Sequence, residues 1–182
     1  LANATDHDFI MFWKCLSICH SVKINEDQEL YGSNHDELAI LQGLQKLDFV
    51  FHYQEGGRVT IEAPFGTYHF QILKVLPFSR QRLKMSIVVQ DENGIYVFTK
   101  GAPEKVMKKC TTFSGEEAGR YESFQEKGYR TLSFSYRNLE TFNPEAPIID
   151  LESLHRLLGT IAIEDELQDD VQLSIEVLHR QG

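Results

Sequence analysis

Two runs with the composition of β-strands, "KMSIVV" (84–89) and "IYVFTK" (95–100), flank the segment "QDENG". No other feature constrains the fold as much. β-branched and aromatic residues on both sides of an Asn93-Gly94 pair are a strong hairpin signal, and a hairpin sets its two strands side by side and antiparallel. A basic stretch with Arg80, Arg82 and Lys84 leads into this hairpin, and a Lys-Gly-Ala-Pro corner at residues 100–103 leaves it. The cations are open to two readings, a phosphate-binding surface or the charged rim of an ordinary hairpin.

The segments around the hairpin extend the same architecture. "TDHDFIMFWKCLSICHSV" carries Phe9, Phe12, Trp13, Leu16 and Ile18 at helix-compatible spacing, which predicts a largely buried helix. Cys15, Cys19 and His20 lie within it; a zinc site wants four ligands and tighter cysteine pairing, so they read as core. Asn34 and Glu37 have capping-box spacing ahead of Leu38, Leu41, Leu44 and Leu47, which predicts a helix ending near Lys46 or Leu47. "FVFHY", "RVTIEA" and "GTYHFQILKVL" read as strands, "APEKVMKKC" as a short helix with Pro103 in its first turn, and "GEEAGRYESFQEKG" as a helix closed by Gly128. "YRTLSFSYR" is a further strand, followed by a proline-containing connection and a final apolar strand "LLGTIAI". The last pattern places Leu167, Val171, Ile175 and Leu178 on one helical face. This order predicts an α+β domain built on a mainly antiparallel, twisted β-sheet flanked by helices.

Length and charge narrow the functional classes. The 182 residues fit one domain, or one domain plus a short piece of another, and a chain of this size needs no disulfides or metal to fold. A net charge of -9 argues against a nucleic-acid or membrane-surface binder. A local cationic pocket remains compatible with it, because charge is screened beyond roughly 10 Å. Three cysteines at no framework spacing suit a reducing, cytosolic setting. The start on Leu1 and the end on "HRQG" suggest a piece excised from a longer parent.

Glycine-rich phosphate cradles of the P-loop or dinucleotide type are absent from the sequence, as are nucleophile-elbow and zinc-helix signatures. A nucleotide would therefore lie on the sheet and be held by side chains. Phe78, at a strand end, offers a ring on which a base can stack; Lys100 offers a point charge; Arg130 offers a bidentate phosphate contact. Each also has a plainer account. Phe78 fits a core aromatic, the Arg/Lys cluster a solvated rim, Lys100-Gly101 a turn, and Glu37 a helix cap.

In order and spacing, "FSRQRLKMS", "KGAPE", "GYRTLSFSYRNL" and "LLGTIAIEDELQDDV" together resemble the nucleotide-binding domain of P-type ATPases. "YGSNHDELAILQGLQKLDFVF", "GYRTLSFSYR", "AIEDELQDDV" and "FWKCLSICHSV" are similar to stretches of the type-IV subfamily, the phospholipid flippases. The resemblance covers nearly the whole chain. It implies a nucleotide-binding domain over residues 1–157 and, over 158–182, a return segment that starts the phosphorylation domain.

The resemblance implies roles residue by residue. Phe78 matches the ring that stacks on adenine, Lys100 and Gly101 the K-G-A motif lining the pocket, and Met85 the methionine beside it. Arg130 matches the arginine that reaches the phosphates, and Glu37 the acid near the adenine edge. Ser79, Arg80 and Lys84 are further candidates for phosphate or pocket-rim contacts, and Asp165 should lie outside the pocket. Leu83 stands where a lysine is usual. Lys84 next to it would point to the opposite face of a strand unless a bulge intervenes.

The implied function is that of a cytosolic ATP-binding domain of an integral membrane protein. It would deliver ATP for aspartyl-phosphate formation and so drive phospholipid translocation. The phosphorylated aspartate of the D-K-T-G motif and the Mg2+-holding motifs are not in this sequence, so the implied catalytic residues lie elsewhere, magnesium would act through the phosphorylation domain, and ATP affinity should be weak, on the order of 1 mM. Phosphorylation, actuator and transmembrane domains and an accessory subunit are the implied partners. Two alternatives stand beside this one: a non-catalytic, regulatory flippase-like module with a degenerate pocket, and the corresponding domain of a type-II or type-V cation pump.

Overall fold

The computed structural model describes residues 7–25, 27, 29–112, 115–164 and 179. An N-terminal helix, α1 (His7–Ile18), leads through the short β1 (Lys23–Ile24) and β2 (Leu30–Tyr31) hairpin into α2 (His35–Gln45). Strands β3 (Val50–Gln54), β4 (Arg58–Ala63), β5 (Gly66–Ser79), β6 (Lys84–Asp91) and β7 (Gly94–Gly101) then follow as a meander. After α3 (Pro103–Met107), β8 (Cys110–Thr112) and α4 (Gly115–Glu126) come β9 (Arg130–Leu139), α5 (Ile148–Leu151) and β10 (His155–Ile163). The large sheet has eight strands in the order β3-β4-β5-β6-β7-β9-β10-β8, and every neighbouring pair is antiparallel except β8–β10. The expected α+β fold on a mainly antiparallel sheet is what forms.

The central hairpin forms as the sequence predicts, with its turn one residue earlier. Asp91 pairs with Gly94, so Glu92 and Asn93 make the loop. The Asp91 carboxylate accepts hydrogen bonds from the Asn93 and Gly94 N–H groups and closes the turn from its own side chain. The strand read as ending at Leu76 continues to Ser79, and the short β8 carried no sequence signal. Residues 158–163, read as part of a return segment, pair along β9 as the second half of β10. Asp165 and the final apolar pattern at Leu167, Val171, Ile175 and Leu178 lie outside the described residues.

Both faces of the sheet centre are covered, which is why Lys84 through Val89 are all buried. On one face, Met85, Ile87, Val89, Phe98 and Phe134 pack with α1 (Met11, Cys15, Ile18) and α2 (Leu41, Leu44). On the other, Leu76, Val88 and Val97 pack under Leu151 of α5. Even the charged Lys14 of α1 is buried, held by Asp91 at 2.7 Å with its ammonium 4.8 Å from the Tyr68 ring centre. Cys15 and Cys19 are free and buried, consistent with the core reading.

Candidate functional site

The site lies on the α1/α2 face, where β6 begins and β7 ends. Met85 and Lys100 are directly opposite each other across this ladder, and cross-strand partners share a face. Asn34 caps α2, its side chain accepting from the Asp36 and Glu37 N–H groups. Glu37 does not complete a reciprocal capping box. Its carboxylate turns inward, accepting from Lys100 Nζ at 2.6 Å and from the Ser21 N–H and Ser21 Oγ at 2.7 Å each.

Lys100 and Glu37 are only 6% and 3% exposed. A buried charge persists only when paired and hydrogen-bonded, and this pair meets both conditions. Burial pushes the Glu37 carboxyl up, but Lys100 and Ser21 outweigh it and hold the pKa below the ordinary carboxylate value. His20, from the end of α1, accompanies the pair. Its Nε2 lies 2.9 Å from the Ser17 carbonyl oxygen and 3.0 Å from the Tyr53 hydroxyl. Burial, helped by the Lys100 charge, lowers its pKa to about 4, so the ring is neutral at pH 7.

A β-bulge in β5 sets Phe78 across from the start of β6. Leu76 pairs with Ser86 and Ser79 with Lys84, so Pro77 and Phe78 together oppose the single residue Met85. Bulges re-aim side chains in this way. Phe78 is 57% exposed and is the one exposed phenylalanine among the described residues. Beyond it, Ser79 closes the turn over Arg80–Leu83: its carbonyl accepts from the Leu83 N–H at 2.8 Å and its hydroxyl from the Arg82 N–H at 3.2 Å. Arg80 is exposed at the tip.

Leu83 sits at φ 53°, a left-handed conformation that a branched side chain adopts only at a cost. The turn it completes carries the Leu83–Lys84 backbone across Gly101. A Cβ at position 101 would lie 2.4 Å from the Leu83 carbonyl oxygen and 2.7 Å from Lys84 Cα. Glycine is therefore required at 101 by backbone crowding.

Lys84 takes the face opposite Met85 and Lys100. It is buried and pairs with Glu152 at 2.9 Å, while Ser79, its ladder partner, shares its side of the sheet. Strand alternation thus parts Lys84 and Ser79 from the group they were expected to join, and the bulge at residues 77–78 does not restore them. With leucine at 83, Lys100 is the one lysine from the 78–101 segment on the Met85 face.

Arg130 opens β9, next to β7, with its side chain about half exposed and in ion-pair contact with Asp36 at 2.8 Å. The first turn of α2 thus supplies both acids, Glu37 for Lys100 and Asp36 for Arg130, and ties β7 and β9 to one helix end. Glu37, Lys100 and Met85 lie on one face, Phe78 stands across the bulge from Met85, and Arg130 is tied in through α2, whereas Gly101, the ladder partner of Lys84, alternates to the other face.

The site offers an aromatic face, an ammonium whose one hydrogen-bond partner among the described residues is Glu37, and a guanidinium at the far end. Among the described residues, no group of three or more His, Cys, Asp or Glu side chains is placed to hold a metal ion. The sequence reading missed Ser21, Asp36, His20 and Tyr53 as supports of the site. Only Asp36, an acid beside Glu37 in a helix's first turn, carried a usable local signal.

The sequence profile of the family described as P-type ATPase, cytoplasmic domain N, matches residues 8–170. Human phospholipid-transporting ATPase IK is 31% identical over an alignment covering 93% of this chain and 15% of that protein. Probable phospholipid-transporting ATPase 5 of Arabidopsis thaliana is 27% identical over 100% of this chain and 18% of its own length. Human phospholipid-transporting ATPase IH is 25% identical over 94% and 19%. The chain therefore spans less than a fifth of the length of these relatives.

Proposed function

The chain belongs to the family of P-type ATPase cytoplasmic N domains, and from that premise we propose that it binds ATP on the Phe78–Lys100 surface and presents the terminal phosphate to a phosphorylation domain. Its relatives named as phospholipid-transporting ATPases support phospholipid translocation as the process served. The observation that carries this reading is an exposed aromatic ring set by a bulge beside a buried, acid-anchored ammonium.

Each residue has a task in this reading. Phe78 stacks on adenine, a contact worth roughly 1–3 kcal/mol. Lys100 spends one of its three donors on Glu37 and turns the others to the nucleotide. Glu37 fixes the ammonium in place, Met85 lines the floor, and Gly101 lets the backbone come close. Arg130 exchanges Asp36 for phosphate oxygens at the far end. Arg80 reaches the rim from the turn, while Ser79 and Lys84 act from beneath by shaping that turn. Magnesium and the phosphoryl acceptor would come from the phosphorylation domain, which acts with actuator and transmembrane domains and an accessory subunit.

The test is an ATP titration of the 182-residue chain followed by NMR, with Phe78→Ala alongside. Weak saturable shifts at Phe78, Met85, Lys100 and Arg130, with a Kd on the order of 1 mM, are expected. Phe78→Ala should weaken binding by about tenfold or more through lost stacking and leave the urea midpoint unchanged, since the ring is mostly exposed. An unfolded variant, or ATP binding unaffected by the substitution, would refute the assignment.

A further inference from the structure

On the sheet face away from Lys100, a cavity of about 430 Å³ opens between the 79–84 turn, α3 and α5. Arg82, Lys84, Lys105, Lys108 and Lys109 line it, against a single acid, Glu152. Five of the 18 lysines and arginines of a chain with net charge -9 thus converge on one hollow.

The inner part is built and satisfied. Glu152 is 3% exposed and accepts from Arg82, from Lys84 and from Ser86 Oγ at 2.7 Å. The outer part has no such balance. Lys105, Lys108 and Lys109 follow helical i, i+3, i+4 spacing and lie on one side of α3 and its C-terminal turn. Among the described residues none of these three has an acid within ion-pair distance. Ile148 and Ile149, 42% and 63% exposed, form the remaining wall. An apolar wall beside converging ammonium groups keeps water away from one side and strengthens their field.

We propose that this cavity is a second anion site, separate from the Phe78–Lys100 surface, that takes a compact polyphosphate-class anion. Three ammonium groups along one wall, with three donors each, suit the many acceptor oxygens of a diphosphate better than the planar pair of a lone carboxylate. The site also borders the nucleotide surface through one element. Arg82 donates to Glu152 and to the Pro77 carbonyl oxygen, so an anion drawing on Arg82 pulls on the residue preceding Phe78.

The experiment is a titration of the isotope-labelled 182-residue chain with inorganic pyrophosphate, read by NMR. A Lys105→Gln/Lys109→Gln double variant is compared with a control of equal net charge, Lys23→Gln/Lys127→Gln, and dispersed spectra establish that both fold. Saturable shifts at residues 105–109 and 148–152, weakened by about tenfold in the first variant and unchanged in the second, are expected. Equal weakening in both variants would show bulk electrostatics only and would overturn the site. So would the absence of saturation, or shifts confined to Phe78, Met85 and Lys100. The last outcome would overturn this site while supporting the Phe78–Lys100 surface, so the two readings fail separately.

Discussion

At the scale of single residues, the Glu37–Lys100 pair is the most consequential contact. The partners are 63 positions apart in sequence, and both are more than nine-tenths buried. Removing one partner strands the other charge in the core, at a cost of about 3–5 kcal/mol. Glu37→Ala should therefore lower the unfolding free energy by that amount in urea. A Glu37→Leu/Lys100→Met double variant should recover much of the loss, a coupling that a double-mutant cycle measures directly. If the single and double variants lose equally, the pair does not carry the coupling assigned to it. The sequence identified both residues as site candidates through a family resemblance. It gave no indication that they bind each other, because nothing local relates a helix's first turn to the end of a strand in the middle of the sheet.

At the scale of elements, two glycines separate crowding from flexibility. Gly101 of β7 lies under the 79–84 turn, with backbone atoms of Leu83 and Lys84 inside contact distance of any added Cβ. Backbone cannot step aside like a side chain tip, so Gly101→Ala should cost about 1–3 kcal/mol or more by overpacking. Gly43, inside α2, has nothing within 4 Å of an added Cβ. Gly43→Ala should stabilise by roughly 0.5–1 kcal/mol through helix propensity. Opposite signs in paired thermal melts are the expected outcome, and the same sign would contradict the packing described. The hairpin itself was legible because Asp91, Asn93 and Gly94 encode their turn locally. Its exact loop was not, since Asp91 captures two N–H groups and moves the loop one residue earlier.

At the scale of the whole molecule, two buried histidines link stability to pH. Burial lowers the pKa values of His20 and His155 from 6.5 to about 4. Between those values the unfolded chain binds protons that the folded chain refuses, so stability falls as pH drops from 6.5 towards 4. Each histidine contributes a slope of up to about 1.4 kcal/mol per pH unit in that window. Urea midpoints measured from pH 7 to pH 4 should show this decline, and His155→Gln should make it shallower. A flat profile would mean that both rings charge freely in the fold. The sequence by itself determined the longer strands and helices, though not the short β1, β2, β8 and α5, together with the Asn34 cap, the central turn to within one residue, and the mainly antiparallel character of the sheet. These follow from alternation, capping and turn chemistry within a few residues. Tertiary structure alone decided which cation faces which side of the sheet. The register of β5, β6 and β7, with a bulge at Pro77–Phe78, sends Lys100 to Glu37 and Lys84 to Glu152. Burial makes those pairings obligatory, because a charge removed from water must find its partner wherever the fold has placed one.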